Sequence, residues 1–261
     1  MSDTHAAPAA QVPEIRLLGI TDLAESLQAG WNDFRAAPVY GLFFSAVYVI
    51  GGLVMLWLLA VWGAIWVSLP AAAGFPILGP FIAVGLYEVS RRLETGAPLS
   101  WRAVLGVVFR QKDRQIPSMA AVIVIFFLFW NFLSHMIFAL FLGLQVMTNV
   151  SSSLGVFLTA NGLMMLGFGT AVGAVFAGVL FSITVVSLPL LLDREVDFVT
   201  AMIASFSCVL ANPAVMLIWA ALVGALLFIG MLPGFLGLFV TLPVLGHASW
   251  HLYRRALEPA A

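Results

Sequence analysis

The sequence predicts an all-α, polytopic membrane bundle of six transmembrane helices. They form three hairpins, each preceded by a cytoplasmic amphipathic interfacial helix. Three observations predict this. Hydrophobic residues make up 62% of the 261-residue chain and charged residues only 9%, against about 25% charged in a soluble domain. All eleven Lys and Arg residues fall into four short segments. One stretch of about seventeen residues is written twice, each time just before a long apolar run.

Mean hydropathy is +1.09, so the surface cannot be covered with polar groups and lipid must serve as solvent. A net charge of −1 gives no basic excess for nucleic acid. The single cysteine, Cys208, excludes an internal disulfide and a cysteine-paired metal site. Residues 1–20 open "MSDTHAAPAAQVPEIR", polar and rich in Ala and Pro, with no basic region leading into an apolar core. They are expected to form a disordered cytoplasmic tail, followed by a single membrane domain over 21–256.

A spanning helix needs about 20 predominantly apolar residues. Six segments meet or approach this: 38–62, 75–91, 117–145, 162–192, 213–231 and 234–253. The third and fourth exceed the requirement and are expected to tilt or project. The second is short and holds Pro76 and Pro80, so its neighbours must satisfy the backbone groups those prolines free. The basic residues lie in the N-terminal region, in the loops at 92–116 and 193–212, and at the C-terminus. The other three connections carry no charge. Basic loops stay in the cytoplasm, so six spans place both termini inside and the three uncharged turns outside. Trp62 and Trp66 suit an outer aromatic belt, Trp101 and Trp250 an inner one.

The repeated stretch reads "DLAESLQAGWNDFRAAP" at 22–38 and "DFVTAMIASFSCVLANP" at 197–213, an offset of 175. Leu23, Leu27, Trp31 and Phe34 recur at i, i+4, i+8 and i+11, one face of a helix, and align with Phe198, Met202, Phe206 and Val209. Each is expected to lie in the cytoplasmic interface, apolar face toward acyl chains or the bundle. Pro38 and Pro213 suit the first turn of the spanning helix that follows. A second match pairs "PFIAVGLYEVSRR" at 80–92 with "PVLGHASWHLYRR" at 243–255, with Tyr87 and Trp250 at one offset. The middle stretch "WRAVLGVVFRQKDRQIPS" is a weaker match. Three units follow, about 22–92, 99–193 and 197–255, whether from internal duplication or from a lead-in that all such hairpins need.

Ionisable residues inside a bilayer are costly and mark sites by default. No Asp, Glu, Lys or Arg falls in the middle of a span. Glu88, three residues from Arg91, reads as a structural pair with Arg91 or Arg92 at the inner interface. Asp193, Arg194, Glu195 and Asp197 read as a solvated helix boundary. Asn131 and His135 stand at i, i+4 on the third span, and His247 and His251 likewise on the sixth. Haem ligation between opposed histidines requires both ligands at one depth. His135 lies about 27 Å along its helix from the cytoplasmic start and His247 only about 10 Å from that side, so their depths do not match. Hydrogen bonding between helices, or from His251 to lipid phosphate, is the favoured role, and no cofactor or metal is expected. Gly169, Gly173 and Ala177, four apart, offer a small-residue face for helix packing.

The stretches "GWNDFRAAPVYGLFFSAVYV", "GPFIAVGLYEVSRRLETG", "SLPLLLDREVDFVTA" and "ANPAVMLIWAALV" resemble a bacterial family of predicted integral membrane proteins of unknown function. Some of its members carry the label of cytochrome c oxidase subunit. The resemblance covers about 15–256 and implies a proteobacterial inner-membrane protein with an oxidase complex as partner. It supplies no functional residues. The chain has no G-x-S-x-G, no H-E-x-x-H, no paired intramembrane carboxylates and no Gly-rich phosphate loop with Lys, so no enzyme is expected. The expectation is a non-catalytic accessory subunit or assembly factor of a respiratory complex. The alternative is a facilitator or pore for an uncharged small solute.

Overall fold

The computed structural model describes residues 14–62, 65–143 and 154–257, except the side chains of 62–76 and 154. Among the described residues ten α-helices run in order: α1 (Ile20–Ala36), α2 (Pro38–Trp62), α3 (Ile65–Thr95), α4 (Trp101–Arg110), α5 (Ile116–Leu142), α6 (Ala160–Thr184), α7 (Ser187–Asp193), α8 (Phe198–Ala211), α9 (Pro213–Met231) and α10 (Leu238–Ala256). Among the described residues there is no strand, only an isolated antiparallel bridge between Ile15 and Leu257.

The starts of the long helices follow from proline. Pro38, Pro117 and Pro213 stand in the first turns of α2, α5 and α9, where a missing N–H removes no helical bond. The residues before Pro38 and Pro213 share one backbone conformation: Ala37 at φ −137°, ψ 54° and Asn212 at φ −127°, ψ 48°. These two positions are separated by the same 175 residues as the repeated stretch. Among the described residues four segments are long and apolar enough to cross a membrane: Pro38–Val61, Ile116–Leu142, Ala160–Asp193 and Pro213–Met231. The expected spans at 75–91 and 234–253 lie in α3 and α10. Their polar residues are spent inside the bundle.

Each lead-in helix packs on the second helix of the preceding unit. α4 lies on α3, α8 on α6 and α7, and α1 on α10, which closes the set into a ring. At the charged end of the bundle three segments are buried on every side: 84–90 of α3, 186–191 leading into α7, and most of 243–256 in α10. They converge in one core around Tyr87, Leu190, Trp250 and Tyr253. Trp250 is therefore a fully buried core residue and not part of an interfacial belt. Trp101 is 38% exposed, and the side chains of Trp62 and Trp66 lie outside the described residues.

Beyond the break at Val185–Val186 the path of the third hairpin changes. α7 packs on α3 and α10, while α6 turns to pack on α5 and α8. Ser205 of α8 fills the break: its hydroxyl donates to the Ser182 carbonyl at 2.7 Å and accepts from Val186 N–H at 3.1 Å. A side chain inserted into the helical ladder is a known cause of a sharp bend.

The structure divides each lead-in helix between a packed face and an outward one. The buried face of α1 is Leu23, Ser26, Gly30 and Phe34, and Trp31 is 41% exposed. The buried face of α8 is Ala201, Ala204, Ser205 and Cys208, and Phe206 is 42% exposed. Small residues let backbones approach, and lipid accepts the large ones. The tail also ends earlier than residue 20. Arg16 N–H donates to the Ala256 carbonyl at 2.9 Å, and Leu18 N–H to Asn212 Oδ1 at 2.7 Å. The remainder of the expected tail, 1–13, lies outside the described residues.

Candidate functional site

The polar side chains of the bundle gather where α3, α7 and α10 meet α1. Glu88 is wholly buried on α3, and two guanidinium groups of the next turn hold it. Arg91 Nε donates at 2.8 Å and its Nη2 at 3.0 Å, and Arg92 Nε donates at 2.6 Å. A carboxylate carried into an apolar core persists only when paired this fully. Glu94, at the end of α3, accepts from Trp250 Nε1 at 3.0 Å and Arg254 Nε at 3.1 Å. Asp193, at the end of α7, accepts from the Tyr253 hydroxyl at 2.7 Å and lies 3.6 Å from Arg254 Nη1. Arg254 of α10 therefore draws carboxylates from both other central segments.

α10 is also fastened to α1. His251 Nε2 lies 2.7 Å from Asp33 Oδ2, and Arg255 Nη1 lies 3.0 Å from Glu25 Oε2. Between these contacts the helices touch through Gly30, where an added Cβ would fall 2.6 Å from Ala248 N and 2.7 Å from the Val244 carbonyl oxygen. His247, one turn from His251, is fully buried. Its Nδ1 lies 2.8 Å from Ser90 Oγ of α3, and its Nε2 has no partner. The two histidines thus tie α10 in two directions, toward α3 and toward α1.

The other polar candidates stay within their own helix. Asn131 Nδ2 donates to the Phe127 carbonyl at 2.9 Å, and His135 Nδ1 lies 2.7 Å from the Asn131 carbonyl. His135 is exposed beside a cleft of about 370 Å³ between α5 and α6, which Gly169 and Gly173 also line. The ring of Trp130 enters over Gly173, where an added Cβ would lie 2.9 Å away. A Cβ at Gly169 would meet only Ile137, at 3.8 Å, and Ala177 lines a neighbouring cavity. That face meets an indole and not a second backbone. Among the described residues no cluster of three His, Cys, Asp or Glu could hold a metal.

Three residues escaped the sequence reading. Asn212 binds the N-terminal segment to α8: its Oδ1 takes Leu18 N–H, and its Nδ2 donates to the Arg16 and Cys208 carbonyls, both at 3.1 Å. Ser205 and Gly30 are the others, and an offset of 175 relates them. Outside the spans, Asp197 caps α8 and is held below the usual carboxylate range, first by the Thr200 hydroxyl and then by its backbone N–H. Burial pushes the Cys208 thiol up to about 11. The arrangement can lock helices together.

Residues 68–193 match the model of a family described as "Predicted integral membrane protein (DUF2189)". No curated protein and no solved structure matches. The matched stretch begins in α3 and ends at Asp193, so it holds the Glu88 pairs and the Ser205-capped break. With its long apolar helices, the chain is a multi-pass integral membrane protein in contact with lipid.

Proposed function

We propose, starting from the match to a family of predicted integral membrane proteins, that this chain is a non-catalytic subunit or assembly factor of a larger membrane complex. In this reading it crosses a bacterial inner membrane six times, in hairpins α2–α3, α5–α6 with α7, and α9–α10. Helices α1, α4 and α8 lie at the cytoplasmic interface, and both termini face inside. The partner is a respiratory assembly, cytochrome c oxidase or its supercomplex, the one that labels within the resembling family name.

The observation that carries this reading is the solid charged end of the bundle. Tyr87, Leu190, Trp250 and Tyr253 fill its centre, and Glu88, Glu94 and Asp193 are all neutralised by arginine or hydrogen-bonded by aromatic side chains. A conducting protein needs a polar path there, and the carboxylates that could line one are already committed to partners. A cavity in the other half of the bundle favours the facilitator as the second reading. The test is extraction of native membranes in mild detergent, with separation by size, mass spectrometry and a haem spectrum. A colourless protein that co-migrates with oxidase subunits supports the proposal. A lone monomer that passes an uncharged solute in proteoliposomes supports the facilitator and contradicts it.

A further inference from the structure

The half of the bundle away from the charges holds a cavity of about 440 Å³ among α2, α3, α9 and α10. Its origin lies in the break at Val185–Val186. At the charged end three central segments close the core. Past the break α6 leaves for α5, and α3 and α10 continue without the third member. The space beside them is the cavity.

Its walls are hydrocarbon. Ile82, Leu86, Val223, Leu227 and Leu242 line it, and the lining residues with polar side chains are Tyr48 and Ser249. The Ser249 hydroxyl is already spent on the Leu245 carbonyl at 2.8 Å. Water held in a cavity needs two to four polar partners, so this space does not suit water. Its volume lies within the roughly 300–1,000 Å³ of ligand pockets. Phe235 lines one end, with φ at 67°, a left-handed conformation that a bulky residue rarely adopts. Its ring is seated on Gly52 of α2, where any side chain would collide with it. A strained residue that persists is held by its surroundings and marks a functional contact.

We propose that this cavity binds one acyl chain of a bilayer phospholipid, with Phe235 seated on Gly52 as its end wall. The proposal rests on α3 and α10 being spans, which sets the cavity at hydrocarbon depth. There, lipid chains are the abundant species that match an apolar, dry lining. A bound chain restores the packing that the departure of α6 removes. It also fixes α9 against α3, two helices that meet mainly across this space.

Native mass spectrometry of the delipidated full chain, titrated with palmitoyl-oleoyl-phosphatidylglycerol, tests it. One phospholipid should bind ahead of the rest. Ala83→Phe, which fills the cavity, should weaken that first binding by about tenfold or more, and Val175→Ala on the lipid-facing side of α6 should leave it unchanged. Equal first binding in wild type and in folded Ala83→Phe would overturn the proposal. If Ala83→Phe does not fold, the wild-type chain decides. A phospholipid with a photoreactive acyl chain should crosslink to Leu227 and Met231, and crosslinks confined to α5 and α6 would overturn it. Reporter fusions at Pro98 and Ser152 read the six-span arrangement separately, so a wrong topology and an unoccupied cavity give different results.

Discussion

Tyr87 of α3 and Trp250 of α10 meet at the centre of the bundle, their ring centroids 6.4 Å apart and their planes at 32°. Each stands seven residues after a proline and four before an Arg-Arg pair. Residues that match in the sequence thus become neighbours in space, as equivalent positions do around a common axis. Trp250 also donates its indole N–H to Glu94. Trp250→Ala removes the largest contribution to this contact and leaves Glu94 with one partner fewer. A loss of about 3–5 kcal/mol is expected, as for large-to-small changes in a packed core. Thermal unfolding in detergent measures it, and a loss below about 1 kcal/mol would mean that the core is not formed as described.

Gly30 and Gly178 make a paired prediction. A Cβ at Gly30 meets backbone atoms of α10, whereas one at Gly178 meets nothing within 4 Å. Gly30→Val is expected to separate α1 from α10 at a cost of at least about 1–3 kcal/mol. Gly178→Ala is expected to be neutral or stabilising by up to about 1 kcal/mol. Unfolding temperatures of the two variants decide, and similar effects would refute the close approach at Gly30.

How far the sequence carries is clear from α1 and α8. Their starts, lengths and following prolines are legible because proline and periodicity act locally. Their packing faces are not. Hydrophobic periodicity separates water from everything else, and lipid and protein interior are both apolar. Trp31 and Phe206, the largest residues of the apolar stripe, consequently point outward in both helices. Gly30 and Ser205, which make the contacts, carry little hydropathy signal. Asn212 and Ser205 act through pairs of hydrogen bonds to distant segments, and no spacing rule announces those. The Glu88 pairs were accessible because an i, i+3 or i, i+4 charge pair is local.

Asp33 and His251 are 218 residues apart and form a contact between two half-buried side chains. Asp33→Ala and His251→Ala are therefore expected to be non-additive, with a coupling of about 0.5–3 kcal/mol. A double-mutant cycle on unfolding in detergent measures it. Strict additivity would show that the two side chains do not meet.

Cys208 tests the docking of α8. Its side chain is buried, and burial disfavours the thiolate, so the thiol stays protonated until the pH approaches about 11. Only the thiolate reacts with maleimide. The folded protein is expected to resist labelling at pH 7–8 and to label fully once unfolded by detergent exchange and heat. Rapid labelling of the folded protein near neutral pH would show that α8 is undocked.

The central claim is that α3 and α10, which carry the Glu88 pairs and the Ser90–His247 contact, cross the bilayer. Alkaline phosphatase fusions at Pro98 and Ser152, expressed in a bacterial host, test it most directly. Six spans place Pro98 inside and Ser152 outside, so phosphatase activity is expected only at Ser152. If only α2, α5, α6 with α7, and α9 cross, both positions change sides, and activity at Pro98 with none at Ser152 would contradict the account.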